Sequence, residues 1–345
     1  MKTTQLHLAP DRQDRFAGLE PKVWLESSLL RTWVIAEPAL IVSLLRHPQA
    51  VILNIEDMLA AIERAHGIEF PNVRYAARHL PLFLEGKAHD ERRRSFSRYL
   101  AGRLAEIDAR LPGLVCRHLR PFRERRRVEL VSEVTGPLVR AVNDILVGRT
   151  LAAEAGTLNL LDLFALNKSI ARFRDLDRRV GQALRLLRAG DEDDALAGNR
   201  FTALAMGFET LMTMLTEGLV SAFHNGSEES DGCAVLPAHP METGVPISYR
   251  RVRSDLAISG HQFKAGDLLR LQLQTLGYVP READRGWIFG AGVHSCVGKQ
   301  VSLRIWTELK RDFDALRLRG RVGSYELAPS HYLVRHGRVH IEVIG

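Results

Sequence analysis

The sequence is poor in cysteine, with three in 345 residues: Cys116, Cys233 and Cys296. An odd number at wide spacing argues against a disulfide framework, and no C-x-x-C pair is present to suggest zinc. Aromatic residues are only 7% of the chain. No apolar run reaches the roughly 18 residues that a bilayer-crossing helix needs. The first residues, MKTTQLHLAPDRQDR, lack the hydrophobic segment of a secretory signal. These absences predict a cytoplasmic protein with no membrane partner. No internal repeat is visible. No DNA- or RNA-binding motif accompanies the net charge of +7, so nucleic acid is not the expected partner. Most arginines sit in helical stretches with acids between them. That pattern predicts a solvated basic surface and, beyond it, an acidic protein partner.

What is present is aliphatic. Apolar residues make up 46%, enough for a large core, and the recurrence of Leu, Ala and Arg suits helices. Apolar residues fall at three- and four-residue spacing over 54–65, 89–105, 105–123, 134–148, 158–187 and 198–222, which predicts helices there. Residues 31–44 read as a strand followed by a helix. The stretch from His224 to Pro246 is rich in Gly, Pro, Ser and acids and predicts an irregular, exposed loop. Beyond it, Leu256–Ile258 and Gln262–Gln274 predict short strands, with turns at Ser259-Gly260 and Ala265-Gly266. A helix is predicted over 297–313, with Val297, Val301, Ile305 and Leu309 on one stripe. Residues 324–344 predict strands around a turn at His336–Arg338. The fold class is mainly α with small β-sheets, in a single domain over 1–345.

The most informative stretch is Trp287-Ile-Phe-Gly-Ala-Gly-Val-His-Ser-Cys-Val-Gly298. It is a glycine-rich turn that delivers Cys296 to the start of a helix. Free amides and the positive end of the helix dipole favour a thiolate there. Gly292 and Gly298 let backbone pass close to a flat ligand. Phe289 can pack beside the sulfur, and His294 can reach an acidic group on the same ligand.

Phe289, Gly292, His294, Cys296 and Gly298 fill every fixed position of F-x-x-G-x-[HR]-x-C-x-G. The chain therefore resembles the cytochrome P450 family, in a shortened form, from about residue 30 onward. The resemblance implies haem b with the Cys296 thiolate on iron. It implies that His89 and Arg93, four residues apart at the family's C-helix entry, hold the haem propionates. Ala205-Met-Gly207-Phe-Glu209-Thr210 is similar to the family's I helix. There Gly207 would open room for dioxygen, Thr210 would orient water or oxygen, and Glu209 would relay protons. Arg250, five residues before Asp255, matches the family's propionate-binding arginine after the K helix. Arg251 and Arg253 are its rivals, and strand alternation puts both on the opposite face.

The chain departs from the family in the K helix. No Glu in 225–250 has an Arg three residues later, so the E-x-x-R pair is missing. Ala238 and Met241 stand where it is expected. The meander before the cysteine shrinks to about Thr275–Arg285. The resemblance implies first a monooxygenase acting on a small organic molecule, and it leaves three functional expectations open. The first takes electrons from a separate acidic ferredoxin or other reductase, docked on Arg92, Arg94, Lys299, Arg304, Lys310 and Arg311. The second is a haem-thiolate peroxygenase, dehydratase or isomerase that needs no redox partner. The third is a non-catalytic haem-binding or sensor protein. A homodimer is compatible with all three.

Overall fold

A computed structural model of the chain describes residues 22–29, 31–151, 160, 163, 169–188, 193–225, 232–240, 244–278, 287–328 and 335–344. The chain opens with β1 (Val23–Ser27), β2 (Thr32–Ile35), α1 (Pro38–Arg46) and β3 (Ala50–Val51). Helices α2 (Ile55–His66), α3 (Pro71–His79), α4 (Gly86–Ala101), α5 (Leu104–Leu119) and α6 (Pro121–Glu124) follow. Then come β4 (Arg127–Glu129), α7 (Gly136–Val147), α8 (Ile170–Leu187) and α9 (Asp194–Asn225). Strands β5 (Ile247–Val252), β6 (Leu256–Ile258), β7 (His261–Phe263) and β8 (Leu268–Gln272) precede α10 (Lys299–Ala315), β9 (Gly320–Ala328) and β10 (Arg335–Val343). Two compact units form, Met1–Leu53 with Met241–Cys296, and Asn54–Pro240 with Val297–Gly345.

The first unit is built on a sheet in the order β1-β2-β8-β5-β3, in which β2 and β8 run parallel. Helix α1 starts on Pro38, whose missing amide hydrogen costs nothing at a first turn. Its Leu40, Ile41, Leu44 and Leu45 share a core with Ile35, Val252, Leu269 and Leu271 of the sheet. Asp267 is fully buried and accepts from Trp33 Nε1 at 3.0 Å, the Lys264 amide at 2.9 Å and Arg31 Nε at 2.5 Å. That carboxylate fixes the start of β8 beside β2.

The second unit is organised around α9. Nearly every residue from Phe201 to Val220 is buried, the pattern of a helix that is apolar all round. By length and composition α9 is even capable of crossing a membrane, contrary to the expectation that no run suffices, but 78% of that window is buried within the protein. Helices α3, α4, α7 and α8 pack against it. Strands β4, β10 and β9 form an antiparallel sheet in that order.

Most predicted elements stand within a few residues of their expected bounds. Residues 160, 163 and 169–187 are what is described of the predicted 158–187 helix, and α8 begins at Ile170. The turn predicted at His336–Arg338 is corrected: it lies inside β10, where the register shifts between His336 and Arg338. Glycine marks a bulge there rather than a reversal. Helix α7 is preceded by a π-helical stretch, Val131–Thr135, which periodicity did not reveal.

Candidate functional site

In the first unit, the cysteine turn is closed by its own backbone. The Gly290 amide donates to Trp287 O at 2.7 Å, the Ser295 amide to Gly292 O at 3.1 Å, and the Cys296 amide to Phe289 O at 2.8 Å. Cys296 is exposed, and Phe289 and His294 are half-buried. Gly292 has φ +71°, and a Cβ there would stand 2.5 Å from the Leu45 carbonyl oxygen of α1. Packing of the turn on α1 alone demands glycine, a demand the sequence reading assigned to a flat ligand. Gly298 caps α10 at φ −79°, a conformation open to any residue.

Arg250 on β5 is 4% exposed, while its rivals Arg251 and Arg253 are exposed. Its Nη1 donates to Ser248 Oγ and the Tyr249 carbonyl, both at 2.8 Å. Alternation along β5 thus singles out one arginine.

In the second unit, His89 and Arg93 lie one turn apart on α4. His89 is 2% exposed, with Nδ1 3.0 Å from Asp90 Oδ1, and Arg93 is half-buried. Asn199 Nδ2 of α9 donates to Ser95 Oγ of α4 at 3.1 Å, so the helix carrying this pair touches the helix carrying Gly207, Glu209 and Thr210. Glu209 is buried. Thr210 Oγ1 donates to the Met206 carbonyl at 2.5 Å. Gly207 turns its open side toward α7: an added Cβ would meet Asn143 Oδ1 at 3.5 Å and Leu146 Cδ1 at 3.8 Å. Sequence reasoning missed Asn143. Its side chain is buried, and Oδ1 has no hydrogen-bond partner among the described residues.

The region of the missing E-x-x-R pair holds no helix among the described residues between Asn225 and Ile247. Residues 232–240 instead run along α10 as an extended strap. The Ala234 amide donates to Leu318 O at 2.7 Å and the Leu236 amide to Asp314 Oδ1 at 3.0 Å. Trp306 Nε1 donates to Pro237 O at 3.0 Å, and Lys310 Nζ donates to Leu236 O. Leu236 and Trp306 are buried, and Gly218 of α9 leaves space for the indole, 2.4 Å from where a Cβ would stand. Hydrogen bonds and buried apolar side chains thus hold this strap to α10.

Three of the six basic residues expected to dock a partner are paired with acids within the chain. Arg304 Nη1 reaches both oxygens of Asp108 at 2.6 and 2.7 Å. Lys310 pairs with Asp314 at 2.5 Å, and Arg311 with Glu308 at 2.5 Å and Asp312 at 2.7 Å.

No protein-family model matches the chain, and no curated protein matches it. Solved structures do. P450BioI in complex with an acyl carrier protein ligated to hexadec-9Z-enoic acid superposes with a TM-score of 0.76 at 13% identity, over 99% of this chain and 100% of that one. The P450 haem domain of Tepidiphilus thermophilus gives 0.71 at 15%, over 96% and 94%. P450 RauA, complexed with a biosynthetic intermediate of aurachin RE, gives 0.68 at 15%, over 98% and 99%. The chain has the cytochrome P450 fold, mainly helical with small sheets.

Proposed function

We propose that the protein is a haem-thiolate monooxygenase of the P450 type that oxidises a small organic molecule, with Cys296 as the iron ligand. The Phe289–Cys296 turn carries this reading. Its backbone is closed by its own hydrogen bonds, and it presents an exposed thiol three residues before α10.

The donor set suits haem b. One soft sulfur is offered to iron, and His89, Arg93, Arg250 and His294 offer imidazole and guanidinium groups to two carboxylates. Burial gives His89 and Arg250 a low-dielectric setting, in which an anion is held more strongly than at a surface. Gly292, at φ +71°, shapes the turn, Phe289 accepts the Cys296 amide through its carbonyl, and Gly298 leads into α10. When bound, the haem supplies oxygen activation, promoted by thiolate electron density. The remaining tasks fall to α9. The Thr210 hydroxyl donates its hydrogen bond to the Met206 carbonyl, so its oxygen lone pairs are left to orient a water. Glu209, next to it and buried, supplies the proton. Gly207 stands one turn before Thr210.

RauA's bound biosynthetic intermediate supports a small molecule of specialised metabolism as substrate. P450BioI, whose fatty acid is carried on a protein, supports a carrier-tethered substrate as a second form of supply. Product formation with NAD(P)H, a ferredoxin and its reductase is the test. Thr210→Ala should slow it by about 10²-fold. Product formation unchanged in Thr210→Ala, or no oxygen uptake with any donor and substrate, would refute the reading.

The intrachain pairing of Arg304, Lys310 and Arg311 favours a second reading, a haem-thiolate peroxygenase, dehydratase or isomerase that needs no redox partner. Turnover with hydrogen peroxide, or with no oxidant, and undiminished without ferredoxin supports it. An absolute requirement for reductase removes it.

A further inference from the structure

Residues 117–127, RHLRPFRERRR, hold six arginines and a single carboxylate. They run from the last turn of α5 through α6 to the first residue of β4. Their apolar members anchor the segment. Leu119 and Phe122 are buried, and the Phe122 ring lies 5.7 Å from Phe223 and 5.9 Å from Phe313. All six arginines are exposed.

Two of them are neutralised locally, Arg120 by Glu124 and Arg125 by Glu133. Arg117, Arg123, Arg126 and Arg127 have no carboxylate partner among the described residues. The end of β10 extends the patch. The Val343 amide donates to the Arg126 carbonyl, and the Ile344 amide to that of Arg319, which is also exposed. Glu342 stands opposite Arg127 on one side and Arg321 on the other, and its carboxylate is taken by Arg321 at 2.7 Å. Excess positive charge therefore stands on an anchored backbone segment here, whereas Arg304, Lys310 and Arg311 are matched by acids.

We propose that the α5–α6–β4 arginine patch is a docking surface for an acidic protein partner. All the segment's cationic side chains apart from His118 are arginines, whose planar fork suits bidentate carboxylates. The segment exposes no aromatic ring on which a base would stack, and Glu124 interrupts the run of charge that a phosphate backbone would follow. It exposes no large apolar side chain to enter a lipid surface. An acidic protein, with mixed charges of its own, fits such a patch.

The test uses the full-length protein and a fluorescent 20-residue Asp/Glu-rich peptide as probe, followed by anisotropy at increasing salt. The combined substitution Arg117→Gln, Arg123→Gln, Arg126→Gln and Arg127→Gln should weaken binding about tenfold. The four corresponding Arg→Lys changes should restore part of that loss. Arg304→Gln with Arg311→Gln should leave binding unchanged. Circular dichroism of each variant checks its fold. The proposal is overturned if the peptide does not bind or binds the Gln variant equally well. It is also overturned if a 20-base-pair duplex or phosphatidylglycerol vesicles bind more tightly than the peptide through the same four arginines.

Discussion

Replacing Asp314 by alanine tests what holds the 232–240 strap to α10. The carboxylate accepts the Leu236 amide at 3.0 Å and Lys310 Nζ at 2.5 Å. A hydrogen bond to a charged group contributes about 1.5–3 kcal/mol. The lysine pair, with side chains 30% and 26% exposed, adds about 0.5 kcal/mol after solvent screening. Asp314→Ala should therefore cost about 2–3 kcal/mol. The matched control is Asp108→Ala, which breaks an interhelical pair with Arg304 whose side chains are 48% and 43% exposed. That change should cost no more than about 1 kcal/mol. Urea unfolding of the full chain measures both. Because Lys310 also donates to Leu236 O, Lys310→Ala should cost less in the Asp314→Ala background than in the parent. A cost for Asp314→Ala no larger than that of Asp108→Ala would refute the idea that the Asp314 carboxylate fastens the strap to α10.

Asn143→Leu should raise stability by about 1 kcal/mol, because it removes a buried carbonyl oxygen that lacks a donor among the described residues; a loss in thermal unfolding would contradict this. Gly207→Ala should be neutral or stabilising by up to about 1 kcal/mol, since the new Cβ meets Asn143 at 3.5 Å. Gly198→Ala should destabilise the chain, since its Cβ would stand 2.3 Å from His79 Cδ2; equal melting temperatures for these two alanine variants would refute the packing argument. Burial pushes the Glu129 carboxyl up, but hydrogen bonds from Ser132, Val339 and Val131 outweigh it and hold the pKa below its usual value of 4.5. Its contribution is thus present above the unfolded pKa and lost as pH falls through the lowered folded one. Glu129→Gln should lower stability at neutral pH and flatten the acid limb of stability against pH, and an unchanged acid limb would count against it.

The elements that sequence revealed are those whose cause is local. Helix α9 shows itself by length and apolar content, and β6 and β7 by the turn between them. Helix α3 was invisible because its cause is remote. It begins at Pro71 with few apolar residues, and Asp177 of α8 accepts the amides of Asn72 and Val73 at 2.8 and 2.9 Å, 105 and 104 residues away. The pairing of Arg304 with Asp108 spans 196 residues and likewise leaves no local trace. The cysteine turn was legible residue by residue, although the need for Gly292 comes from Leu45 of α1. Asn143 carries no motif and emerges only because α7 packs on α9 at Gly207. The strap has the composition of an irregular loop, and its hydrogen bonds run to Trp306, Lys310 and Asp314, about 70–80 residues further along.

The central claim is that Cys296 binds haem iron as a thiolate. Its most direct test is the absorption spectrum of the haem-loaded, dithionite-reduced protein under carbon monoxide, with Cys296→Ala measured beside it. The account predicts the red-shifted Soret band of a thiolate-ligated ferrous carbonyl in the parent protein and its loss in the alanine variant. A folded, haem-loaded parent without that band, or a Cys296→Ala protein that keeps it, would contradict the account.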